Sequence, residues 1–67
     1  MEYLTQAEYE KHLILADIKR TKQALDNAYS NFQNVVDPDL VDCYIYEVQA
    51  VQQKYKYLLK RAKELQL

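Results

Sequence analysis

The sequence predicts an all-α chain of a single domain: two long helices folded back on each other as an antiparallel, coiled-coil-like hairpin, which dimerises into a four-helix bundle. Three observations carry this. Apolar residues recur at alternating steps of three and four along both halves of the chain; one strong break, Val36-Asp37-Pro38-Asp39, lies near the middle; and the 67 residues include no glycine and one proline. Each half therefore reads as uninterrupted helix.

The first helix is expected over about residues 5–34. Thr5 followed by Glu8 is a capping-box pattern, with Leu4 and Tyr9 placed to form a hydrophobic staple. Ile14, Ile18, Thr21, Leu25, Ala28, Phe32 and Val35 form a narrow seam, widened by Leu15, Tyr29 and Val36. Asn27, Ser30, Asn31 and Asn34 are poor helix formers, so the helix should loosen near Asn34.

A turn follows at about residues 35–37, and the second helix is expected over about 38–66. Asp37 is the natural N-cap, Pro38 fits the first helical position where its missing N–H costs nothing, and Val36 can staple onto Val41. Val41, Tyr44, Val48, Val51, Tyr55, Leu58, Ala62 and Leu65 continue the seam, flanked by Ile45 and Leu59. Asp39 and Asp42 near the start, with Lys60, Arg61 and Lys63 near the end, suit the helix dipole. So short a turn forces the helices antiparallel. Folding about residues 36 and 37 sets Phe32 against Val41 and Leu25 against Val48, with Glu8 and Glu10 near Lys63 and Asp26 opposite Glu47.

Length and composition limit what such a hairpin can do. A core of this size contributes only ~3–5 kcal/mol, and small domains usually need a staple or a partner. The single cysteine, Cys43, allows no intrachain disulfide and no cysteine-rich zinc site. Without glycine, phosphate-cradling loops, dinucleotide turns and calcium loops are excluded. A net charge of −1 implies no general pull toward nucleic acid or an acidic membrane. No basic leader is visible, and the apolar run from Leu13 to Ala16 is too short for a signal or membrane segment. The expectation is a soluble, cytoplasmic protein that does not engage membranes.

Candidate chemistry is sparse. Glu8 and His12 share a helical face and could touch a metal, but no second histidine completes a site. Cys43 lacks the base or cationic surround of a nucleophile, since its neighbours are Asp39, Asp42 and Glu47, and Ser30 has no histidine within helical reach. No catalytic, cofactor or metal residues are assigned, no small-molecule substrate is implied, and the chain is expected not to be an enzyme.

Association is the function this arithmetic favours. The widened stripes hold more apolar surface than one groove covers, and the second helix carries a further line on its back: Cys43, Tyr46, Ala50, Gln53 and Tyr57. Small residues between tyrosines could admit another helix, from a second copy or from a helical partner; scattered surface tyrosines are the alternative. A homodimer is the favoured partner state. The other reading rests on Lys54, Lys56, Lys60, Arg61 and Lys63, interleaved with Tyr55 and Tyr57, which could bind single-stranded nucleic acid or RNA through phosphate contacts and stacking.

The junction from Phe32 through Val35-Val36-Asp37-Pro38-Asp39-Leu40-Val41-Asp42, the Tyr44-Ile45-Tyr46-Glu47 run, Ala50, and Lys54-Tyr55-Lys56-Tyr57-Leu58-Leu59-Lys60 are distinctive together. They resemble the YaaL-like family of short proteins from Gram-positive spore-forming bacteria, a domain of unknown function, over about residues 32–61. The resemblance implies a bacterial cytosolic setting and a helical hairpin, and brings no activity or ligand. It draws attention to Tyr46, Glu47 and Tyr57, which lie off the seam. With Cys43 and Ala50 they form the candidate partner interface, and alanine at Tyr46 and Tyr57 is expected to weaken association while sparing helicity.

Overall fold

The computed structural model describes residues 5–65, which form two helices and no strand. Helix α1 spans Gln6–Asn34 and helix α2 spans Pro38–Glu64. They pack against each other along their length as a rod of 55 × 23 × 12 Å.

Each helix begins on the side chain that its sequence marks. The Thr5 hydroxyl oxygen accepts the Glu8 backbone N–H at 3.1 Å, and the same hydroxyl donates to the Glu8 carboxylate at 3.1 Å. One orphan donor of the first turn is thereby satisfied. The Leu4 half of the expected staple lies outside the described residues. At α2, an Asp37 carboxylate oxygen accepts the Asp39 N–H at 2.9 Å, with Pro38 in the first helical position. Helix α1 stops at Asn34, whose amide donates to the Ser30 hydroxyl at 3.3 Å. The far end of α2 is closed by the Leu65 N–H, bonded at 3.1 Å to the carbonyls of Arg61 and Ala62.

The turn corrects one expectation. Val36 is 94% exposed and makes no staple onto Val41. The backbone is extended at Val35 and again at Asp37, and consecutive side chains of an extended segment face opposite ways. Val35 is half-buried and Val36 is turned out.

The seam follows the three-and-four spacing on both helices. Ala28 is fully buried, Thr21 and Leu58 are 4% exposed, and Ala62 is buried as well. Ile14, Ile18 and Leu25 on α1, and Val41, Tyr44, Val48, Val51 and Tyr55 on α2, are half-buried. Small residues at 21, 28 and 62 let the helices approach closely, and no buried side-chain polar atom among the described residues lacks a partner. Leu58 is the one large apolar side chain among the described residues that the hairpin buries, and it buries no large side chain completely. The core is therefore real but thin.

Candidate functional site

The seam has two edges, and they differ in chemistry. Along one edge the helices are tied by polar groups: the Asn31 amide donates to the Glu47 carboxylate at 3.4 Å, and Arg61 pairs with Glu10 at 3.7 Å. The depressions on this side mix polar and apolar lining: Asn31, Asn34 and Asp37 with Leu40 and Tyr44 near the turn, and Glu10, Asp17 and Arg61 with Leu13 and Ile14 near the open end. The cross-helix bonds are exposed and individually weak, contributing ~0–1 kcal/mol each. They set polar contacts on that edge beside the exposed Leu13 and Leu40.

Along the other edge the surface is apolar. Tyr29 and Phe32 of α1 face Ile45 and Val48 of α2 across a shallow cleft, with Gln49 and Gln52 on its rim. The Gln52 amide donates to the Tyr29 hydroxyl and spans the cleft. Tyr29 and Phe32 are each 39% exposed, large fractions for residues beside a seam. Seven-residue spacing carries the same edge toward the open end, with the exposed Leu15 two repeats before Tyr29 and the exposed Leu59 two repeats after Ile45, and with Lys22 and Gln52 at the intervening repeats. The cleft encloses about 260 Å³, below the ~300–1,000 Å³ of sites that enclose small ligands. A row of side chains fits it better than a metabolite does.

The sequence-derived partner line falls elsewhere. Cys43, Tyr46, Ala50 and Tyr57 are exposed on the back and far flank of α2, Tyr46 at 69% and Tyr57 at 62%. Glu47, grouped with them on helical spacing, is half-buried at the polar edge and bonded to Asn31. Of the basic candidates, Lys54, Lys56, Lys60 and Lys63 are exposed, and none forms an ion pair within 4 Å among the described residues. Arg61 is half-buried and divided between Glu10 and Glu64, the latter at 3.2 Å. It also takes the place expected of Lys63 beside Glu10. Among the described residues there is no cluster of three or more histidine, cysteine or acidic groups that could hold a metal, and no helix long and apolar enough to cross a membrane.

Glu10 and Arg61 pair close to the level set by a fold about residues 36 and 37, while two other cross-helix pairs depart from it. That fold sets Tyr29 level with Tyr44 and Asn31 level with Asp42, whereas the bonded partners Gln52 and Glu47 lie further along α2. Side chains lean toward the N-terminus of their own helix, so contacts in an antiparallel pair run on a diagonal. Gln49 and Gln52 were absent from the sequence-derived site for a related reason. A polar residue beside an apolar stripe reads as solvent-facing until the opposite helix is in place.

A family model described as a protein of unknown function (DUF2508) matches residues 4–67. The chain belongs to this family. The match takes in both helices and the turn, so the DUF2508 unit coincides with the whole hairpin, with the polar and apolar edges both inside it. No curated protein matches the chain. No solved structure matches it. For this DUF2508 chain, the two unlike edges are the chemical facts from which function must be argued.

Proposed function

We propose that the hairpin is a non-catalytic protein–protein interaction module that self-associates through its apolar edge into a four-helix bundle. One observation carries the reading: Tyr29, Phe32, Ile45 and Val48 line an apolar cleft between the helices that the Gln52–Tyr29 bond crosses but does not cover. A second hairpin laid on that edge would bury what the first cannot and add the core that the chain lacks. The surroundings of the nucleophile candidates support a non-catalytic role, since the charged residues nearest Cys43 along α2 are Asp39, Asp42 and Glu47 and Ser30 is engaged by Asn34. The likeness of residues 32–61 to YaaL-like proteins, together with the unpaired Cys43, supports a bacterial cytoplasmic setting.

Sedimentation velocity across the micromolar range, with helicity followed in parallel, tests this. The mass is expected to rise from one chain to two, and the Tyr46→Ala/Tyr57→Ala variant is expected to behave as the parent does. A fully helical species that stays monomeric throughout would overturn self-association. Dimerisation lost in the tyrosine variant would instead move the interface to the far flank.

A second reading draws on Lys54, Lys56, Lys60 and Lys63, which form no ion pair among the described residues, and on the exposed Tyr57, which suit weak binding of single-stranded nucleic acid. Tyr55, half-buried in the seam, is not available for stacking. On this reading, affinity for a single-stranded RNA falls steeply as salt is raised. Binding indifferent to salt, or none at low salt, removes it.

A further inference from the structure

The charges of the hairpin are segregated along its length. Between residues 27 and 53 the only charged groups are four acids, Asp37, Asp39, Asp42 and Glu47, and all nine lysines and arginines fall within 11–22 and 54–63. Folding gathers the first segment at the loop end of the rod and the others at the open end. Among the described residues the ion pairs lie toward the open end or at mid-rod: Asp17 with Arg20, and Arg61 with Glu10 and Glu64, toward the open end, and Lys22 with Asp26 near the middle. Among the described residues, none of the loop-end acids is paired with a cation.

The apolar edge carries the same polarity in a form that a second copy can read. Asp42, Gln49, Lys56 and Lys63 follow one another at seven-residue spacing, so they form one line along α2. Gln49 sits on the rim of the cleft. Val41, Val48 and Tyr55, and beside them Ile45 and Gln52, are half-buried, and the Gln49 line further out is exposed. A helix laid over Ile45 meets the Gln49 line at its border, where flanking charges set partner orientation.

We propose that two copies dock across the apolar edge in antiparallel fashion, loop end over open end, about a two-fold axis at Gln49, so that Asp42 of each copy lies against Lys56 of the other. The inference rests on the self-association reading and gives it an orientation and a register. About that axis, Gln49 meets its own copy and two Asp42–Lys56 contacts form by symmetry. Gln49 lies near the middle of α2, Pro38–Glu64, so the two copies of α2 overlap over most of their length. On α1, Asp26 comes close to the same axis and is already paired with Lys22 at 3.9 Å. The parallel arrangement places acidic loop end on acidic loop end and basic open end on basic open end. Like charges opposite one another disfavour it, which is how flanking charges select among apolar docking modes.

The test is the dimer dissociation constant of the full chain at low salt, by sedimentation equilibrium, for the parent, Asp42→Lys, Lys56→Glu and the double variant, each checked for helicity by circular dichroism. Each single change turns both symmetric contacts repulsive and is expected to raise the constant about tenfold. The double variant, which exchanges the two signs, is expected to return to within about threefold of the parent. Lys56 is exposed in mid-helix, so Lys56→Glu keeps the test decisive should Asp42→Lys disturb the first turns of α2. A dimer indifferent to the single changes, or a double variant no tighter than either, would overturn the antiparallel register while leaving self-association standing. A monomeric parent would overturn both.

Discussion

Leu58→Ala is expected to abolish the cooperative unfolding of the hairpin. Leu58 is the one large apolar side chain that the described residues bury, at 4% exposure, and its partners in the seam are small or half-exposed. Truncating a buried leucine costs ~2–5 kcal/mol, because the transfer of its methyl groups is lost and a cavity remains. A core of this size supplies only about that much in total. The variant should therefore show low helicity at room temperature and no sigmoidal melt, whereas Leu59→Ala, one residue on and exposed, should keep both. A Leu58→Ala chain melting within a few degrees of the parent would show that the seam does not carry the fold.

The second large effect is expected at Ile45, on the wall of the apolar cleft. Ile45→Gln keeps a good helix former of similar length and replaces apolar surface with an amide that prefers water. Burying an isoleucine side chain contributes ~1.5–3 kcal/mol, and a two-fold interface contains the residue twice. The dimer dissociation constant should rise about a hundredfold, with Tyr57→Ala on the far flank close to the parent. Equal dimerisation by Ile45→Gln and the parent would remove the apolar edge as the docking surface.

Most of the fold was legible in the residues themselves, because a hairpin is built from local signals. Thr5 with Glu8, and Asp37 with Pro38, are caps whose geometry needs no information from elsewhere in the chain, and both form hydrogen bonds of the expected kind. The seam was legible because its period is a property of one helix, and Thr21, a polar member of that stripe, is buried as its position requires. Val36 was misplaced because a heptad pattern was carried two residues past the helix, into extended backbone where facing alternates.

The candidate site was legible only in part. Leu15, Tyr29, Ile45 and Leu59 could be seen to widen the stripes. Which edge of the seam stays open depends on side chains distant in sequence, Asn31 with Glu47 and Glu10 with Arg61. A helical wheel of one element contains no term for those pairs. It also placed Glu47 among residues facing away, although a glutamate at the border of a seam can reach back across it.

The polar edge also governs how far assembly can go. A rod that is apolar on both sides of its seam can accept a neighbour on each, and every added copy presents a fresh face, so stacking continues into sheets or filaments. Here the other side carries the Asn31–Glu47 and Glu10–Arg61 contacts, with Leu13 and Leu40 exposed beside them. On the self-association proposed above, those polar contacts make that side the poorer landing surface for a third copy. In that reading the weak bonds of one edge, negligible as sources of stability, would bias assembly toward a closed dimer rather than an open-ended polymer.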